Sequence, residues 1–297
     1  IDRLFAKFEP VWRQPDPPLW LSLDLTRLGF IYPPALALLT TAVLQLGKDG
    51  VSTAVQRPEN QDVDDYLNRM DFYRLAGVDA QYRWRRRSST GRFLEVKQVS
   101  SEVEGDSIVA DILRILERRM ETLQPVRRAV QYALHELVNN VFHHARSATN
   151  AIVCAQAYDQ KNEVELSVVD SGRGIRASLL ENAALHGRFS TAREAIELAV
   201  QPQITGRPGE NTGEGLFFTL EFLKENRGCA CVHSENGRLN IRYGQPVIQD
   251  GAFWPGTLVA LRFRTDQAVD TAGLFAKYAP EENDYEWLFD ADESTAE

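Results

Sequence analysis

Long apolar runs are missing from this chain of 297 residues. No window approaches the roughly 20 apolar residues that cross a bilayer. The apolar stretch Leu36–Leu46 is too short and runs into Lys48 and Asp49. No secretory signal is visible, so no membrane partner is expected. The chain begins at Ile1 rather than Met, so its natural start is expected to lie upstream. Cysteine is scarce: Cys154, Cys229 and Cys231. Cys229 and Cys231 are separated by one residue, not by the two of common zinc and redox pairs. Free buried thiols in a reducing cytoplasm are the simplest account, and a cytoplasmic location is expected. No Gly-x4-Gly-Lys-Ser/Thr sequence occurs, which excludes P-loop phosphate chemistry.

Positive charge is absent after Lys277. Glu281, Glu282, Asp284, Glu286, Asp290, Asp292, Glu293 and Glu297 give the end of the chain most of the formal net charge of −9. The expectation is an acidic, solvated tail over 266–297. Tyr285, Trp287, Leu288 and Phe289 lie among the acids, and a tail used for interaction is the alternative. Such a balance does not suit a nucleic-acid backbone. The local exception is Arg83, Arg85, Arg86, Arg87 and Arg92, interleaved with Tyr82, Trp84 and Phe93. Polar and apolar residues partly alternate from Tyr82 to Val99 around a Ser-Ser-Thr-Gly break, which predicts a solvent-facing hairpin and connector over 81–105.

What is present fits an ordinary globular chain, 43% hydrophobic and 25% charged. An α/β unit is expected over 1–80. Its parts are a strand at Leu19–Leu25, a helix at Ala35–Leu46 behind Pro33 and Pro34, a strand at Val51–Val55 and a helix at Asp62–Leu75 ended by Gly77. A larger α/β unit is expected over 106–265. Helices are predicted at Ile108–Thr122, Pro125–Ala145, Ala192–Val200 and Leu216–Asn226. Strands are predicted at Ala151–Tyr158, Val164–Asp170, Cys229–Ser234, Leu239–Tyr243 and Leu258–Arg264. Short connections favour antiparallel pairing within a mixed α/β layer arrangement.

Four local patterns in the larger unit carry chemistry. Glu136 and Asn140 stand one helical turn apart on one face, with His143 and His144 just beyond. A carboxylate beside a carboxamide suits a hydrated Mg²⁺, which prefers oxygen ligands and keeps several waters. Val168-Val169-Asp170-Ser171-Gly172-Arg173-Gly174-Ile175 ends a strand in an acid followed by two glycines. Such an acid can accept the amine hydrogen of adenine, and glycine lets backbone come close. Thr212-Gly213-Glu214-Gly215-Leu216 opens a helix and offers backbone N–H groups to phosphates. The preceding Gln203–Asn211 has the length of a lid, and its Arg207 could reach a terminal phosphate. Pro255-Gly256-Thr257 enters the last strand, where Thr257 can bond near the base. Taken singly, each is a polar helix face, an Asp–Gly turn, a surface loop or a β-forming Thr.

In this order the set resembles the gyrase/heat-shock-90/histidine-kinase/MutL (GHKL) ATPase superfamily, over roughly 106–265. The resemblance implies a two-layer α/β sandwich with a mixed sheet, binding ATP and Mg²⁺ under a mobile lid. Glu136 would be the general base, Asn140 the Mg²⁺ ligand and Asp170 the adenine reader. Within the superfamily, the compact Glu136–Ala145 motif is most similar to anti-sigma-factor-type serine kinases. Leu23–Leu39 resembles a STAS domain, the anti-sigma-antagonist fold, which implies a STAS-like N-terminal domain. Pro33 and Pro34 stand where such domains carry a phosphoacceptor hydroxyl, so a docking or sensing module fits better than a phosphorylated one. The expected partner is a regulatory protein, STAS-type or other, with homodimerisation left open. Two functions follow: an ATP-dependent serine/threonine kinase-like regulator or ATPase, and a nucleotide-gated interaction module with little turnover. No transducer is visible after residue 265, and the helices before Glu136 show no clear phosphoacceptor His, His135 being part of the motif itself, which disfavours a mechanical ATPase and a sensor histidine kinase.

Overall fold

The computed structural model describes residues 1–16, 18–78, 93–117 and 124–279. Arg83, Arg85, Arg86, Arg87 and Arg92 of the expected hairpin, and the acids from Glu281 to Glu297, lie outside them.

The N-terminal region begins with helix α1 (Asp2–Trp12), which buries Phe5 and Phe8. Strand β1 (Trp20–Asp24), helix α2 (Pro33–Lys48) and strand β2 (Ser52–Gln56) follow as a parallel β-α-β unit. Pro33 and Pro34 occupy the first turn of α2, where a missing N–H costs nothing. The single helix expected over Asp62–Leu75 is two: α3 (Gln61–Arg69) and α4 (Phe72–Leu75). Asp71 sits between them with φ 63°, a left-handed conformation that Asp tolerates better than most side chains.

Strand β3 (Phe93–Val99) leads into α5 (Glu102–Glu117) and α6 (Gln124–Asn140), which passes into one turn of π-helix over Val141–Ala145. Strands β4 (Ala151–Tyr158) and β5 (Glu163–Val169) form a hairpin. Helices α7 (Gly174–Leu179), α8 (Ala192–Ala199) and α9 (Gly215–Glu225) come next. Strands β6 (Cys229–Arg242) and β7 (Gln245–Arg264) make a long hairpin, and α10 (Thr271–Tyr278) follows. The two strands expected at Cys229–Ser234 and Leu239–Tyr243 are thus one, interrupted by register shifts between Ser234 and Gly237. Within the stretch read as a tail, α10 is packed, with Phe275 buried against Tyr132, Phe218 and Phe222.

The five main strands lie in the order β3-β4-β5-β7-β6 and every pairing is antiparallel. This corrects the mixed sheet expected from the resemblance: hairpin connections join β4 to β5 and β6 to β7, and the parallel pair β1–β2 stands apart. The solvent-facing reading of Phe93–Val99 is also overturned. Leu94 and Val99 enter one apolar core and Phe93 and Val96 the other, so β3 is covered on both faces.

Alternation along the strands divides the two cores. Ala151, Val153 and Ala155 face helices α5, α6, α9 and α10. Ile152 and Cys154 face the other way, with Val169, Trp254 and Leu258, onto Phe5, Leu36, Leu39 and Phe72 of the N-terminal helices. The sheet is therefore covered on both sides, and the N-terminal region forms a third layer. Each fully buried Leu or Phe on either face contributes about 1.5–3 kcal/mol.

Candidate functional site

One cleft of about 330 Å³ gathers the chemistry-bearing patterns. It opens on the helix side of the sheet, between α6, the loop after β5, and the segment 204–216. Helix α6 brings Glu136 and Asn140, and the π turn brings His143 and His144. A π turn adds a residue to the helical cycle and re-aims the side chains beyond it; such turns gather at functional sites. Asp170, Gly174 and Ile175 come from the end of β5 and the start of α7, and Thr257 from β7. Thr212, Gly213, Gly215 and Leu216 close the opposite side. Twelve of the fifteen expected site residues therefore line one space.

Asp170 is fully buried at the base of the cleft. Its carboxylate accepts the Gly172 N–H at 2.7 Å and bonds from the Thr257 backbone and hydroxyl. Burial nevertheless dominates and pushes its pKa up to about 7. Two chain contacts hold its backbone: its N–H donates to the Thr257 carbonyl at 2.9 Å, and its carbonyl accepts Trp254 Nε1 at 3.0 Å. Gly174 turns the chain away with φ 78°, and a Cβ there would stand 2.8 Å from Ser234 Oγ. That hydroxyl accepts the Ile175 N–H at 2.9 Å and donates to the Gly256 carbonyl at 3.0 Å.

Glu136 is also largely buried, and desolvation raises its pKa to about 7; His143 opposes the shift and Glu214 adds to it. A Cβ on Gly215 would collide with its carboxylate, so the start of α9 lies directly on the acid. His143 Nε2 lies 3.1 Å from Glu102 Oε1. Burial, then His143, Arg207 and Arg173, lowers His144 to about 4, leaving it neutral at pH 7. Its Nδ1 is buried without a hydrogen-bond partner among the described residues, as befits a group awaiting a ligand or water.

Three expected residues fall outside the lining. Gly172 packs against the Ala145 carbonyl, where its missing Cβ is needed for the loop's approach to the π turn. Glu214 is buried at the N-terminus of α9 rather than facing the cleft. Arg207 turns to Glu181, its Nε 3.0 Å from Oε2. Arg146 and Arg173 reach the same carboxylate at 2.5 Å, and together the arginines hold its pKa well below the usual range. Sequence reading missed Ser178, Leu179, Thr205 and Gly206. Helix α7 is too short to show a period, yet Gly206 rests on the Ser178 carbonyl and Asn182 donates to the Thr205 carbonyl at 2.9 Å. The loop root at 204–206 is thus pinned to α7, with Ile204 packed on the apolar cluster of Leu179 and Leu198.

Among the described residues no group of three His, Cys, Asp or Glu side chains could cage a metal. The donor set fits Mg²⁺ all the same, because Mg²⁺ commonly takes one or two protein oxygens and completes its shell with phosphates and water. Asn140 offers an amide oxygen at the cleft wall.

Residues 126–262 match the family model described as histidine kinase-, DNA gyrase B- and HSP90-like ATPase. That stretch is a domain of the GHKL type, a class that binds ATP, usually with Mg²⁺. It runs from the first turn of α6 almost to the end of β7 and so spans the whole cleft. No curated protein matches the chain significantly. No helix among the described residues is long and apolar enough to cross a membrane.

Proposed function

We propose that this protein is a cytoplasmic regulator that binds Mg·ATP in the cleft and passes the terminal phosphoryl group to a serine or threonine of a protein partner. The observation that carries this reading is Glu136: a buried carboxylate with its pKa near 7, lying under the first residue of α9. A base poised near the working pH can take a proton from an attacking hydroxyl without being fully protonated beforehand. Asp170 accepts the exocyclic amine of adenine, and Thr257 bonds beside it. The N–H groups around Gly213 and Gly215 receive the phosphates at the helix N-terminus. Asn140 would hold the Mg²⁺, which would supply charge neutralisation for the transferred phosphoryl group. His143 and His144 border the phosphates, and Arg207 leaves Glu181 for the terminal one.

STAS-type proteins suit the partner role, because an exposed hydroxyl on a small α/β domain presents the acceptor. The N-terminal β-α-β unit of this chain carries proline, not hydroxyl, at the first turn of α2, so it serves for docking rather than as acceptor. A second reading rests on the Arg207–Glu181 pair. Nucleotide that draws Arg207 away from Glu181 changes the lid surface, and partner affinity could be gated without turnover.

Incubating the protein with γ-labelled Mg·ATP, alone and with STAS-type candidates, separates these outcomes. Label on protein supports transfer. Free phosphate in its place makes water the acceptor, and tight binding with neither leaves the gated module. No heat with Mg·ATP in calorimetry removes both readings.

A further inference from the structure

The Asp170–Ser171 segment is held from behind by the N-terminal layer through two polar contacts that covering the sheet does not require. Ser171 Oγ donates to Gln45 Oε1 of α2 at 2.7 Å. The other end of that amide is committed, since Gln45 Nε2 donates to Asp49 Oδ1 at 2.8 Å, so its oxygen must face Ser171. Ser171 Oγ also lies 2.7 Å from Thr149 Oγ1. The second contact is the Trp254 indole N–H on the Asp170 carbonyl at 3.0 Å. Trp254 is wholly buried, edge-on to Trp12 with ring centroids 5.7 Å apart and 5.9 Å from Phe5, both on α1. Helix α2 thus reaches Ser171 directly and α1 reaches Asp170 through one indole.

We propose that Gln45 and Trp254 are positioning residues through which the N-terminal layer sets how well the cleft reads the exocyclic amine of adenine. The proposal rests on the reading of Asp170 as the amine acceptor. A carboxylate buried as deeply as Asp170 is little helped by bulk water when the angle is poor, so small shifts of its backbone change the bond it offers. A partner that moves α1 or α2 would act on nucleotide selectivity through these two bonds without touching the cleft.

The test compares Mg·ATP with the Mg complex of purine riboside triphosphate, which lacks the amine, on wild type, Gln45→Ala, Trp254→Phe, Ser171→Ala and the Gln45→Ala/Ser171→Ala double variant. Gln45→Ala and Trp254→Phe should each weaken ATP about three- to tenfold, the weight of one ordinary hydrogen bond, and leave the amine-free analogue unchanged. The double variant should be no weaker than Ser171→Ala alone, because both changes cut one contact. Equal weakening of both nucleotides makes the contacts mere support and overturns the proposal. So does a wild type that prefers ATP while both single variants keep that preference in full. A wild type that binds the two nucleotides alike removes the reading of Asp170 and the proposal with it. If Trp254→Phe melts at room temperature, Gln45→Ala, half-buried at the helix end, decides the matter.

Discussion

Glu136 and Asp170 are both acids whose burial raises the pKa to about 7, and the same shift has two consequences. The first concerns stability. A folded-state pKa above the unfolded value gives stability that is complete below the unfolded pKa, near 4, and is lost as pH rises through about 7. These two acids therefore favour pH 5 over pH 8 in nucleotide-free protein, against the opposite pull of His144 and His233, which burial lowers to about 4. Asp170→Asn should flatten part of that slope, as followed by thermal unfolding across pH. The second concerns turnover on the proposed reading. A base works ionised, so kcat should climb through about pH 7 and level off above it. Glu136→Gln should lower kcat by at least a hundredfold with little change in nucleotide affinity; unaltered turnover would remove Glu136 as the base. The pair Glu136–Asn140 was legible in the sequence because helical spacing alone puts the two on one face. The burial that tunes Glu136 was not, since it comes from Gly215, far along the chain.

Among elements, the segment 204–216 shows what a glycine pattern can and cannot reveal. Gly213 has φ 76°, and a Cβ there would press within 2.6 Å of the Ile204 backbone. Gly213→Ala should thus loosen the lid root and weaken Mg·ATP binding about tenfold or more, measured by calorimetry, while the melting temperature changes by only a few degrees. Little effect on affinity would mean that the loop does not shape the phosphate end. The sequence marked this stretch as a loop before a helix but not its fastening to α7, because six residues carry no readable period. The same limit hid the break at Asp71: Val63 and Leu67 before it, and Phe72 after it, are all buried, so the apolar repeat continues through the kink. Strand β3 was misread for a different reason. The partial alternation of polar and apolar residues suggested an outward face, whereas even the charged Glu95 is buried.

At the scale of the whole molecule, the N-terminal residues complete the sheet's second face rather than standing beside it. Removing residues 1–78 would bare Ile152, Trp254 and Leu258, an apolar area large enough to drive association. The fragment 93–279 should aggregate or melt well below the full chain, by light scattering and thermal unfolding. A monomeric fragment of undiminished stability would show the layer to be dispensable. Sequence periodicity found both halves but could not show that they share a core, because that contact joins residues more than a hundred positions apart. Charge beside the cleft carries a consequence of its own. Arg146, Arg173 and Arg207 share Glu181, with Glu210 as the second acid, so among the described ion pairs this cluster beside His144 sets three cations against two carboxylates. An approaching polyanion is drawn inward before it touches the wall, and added salt should slow its arrival more than its departure.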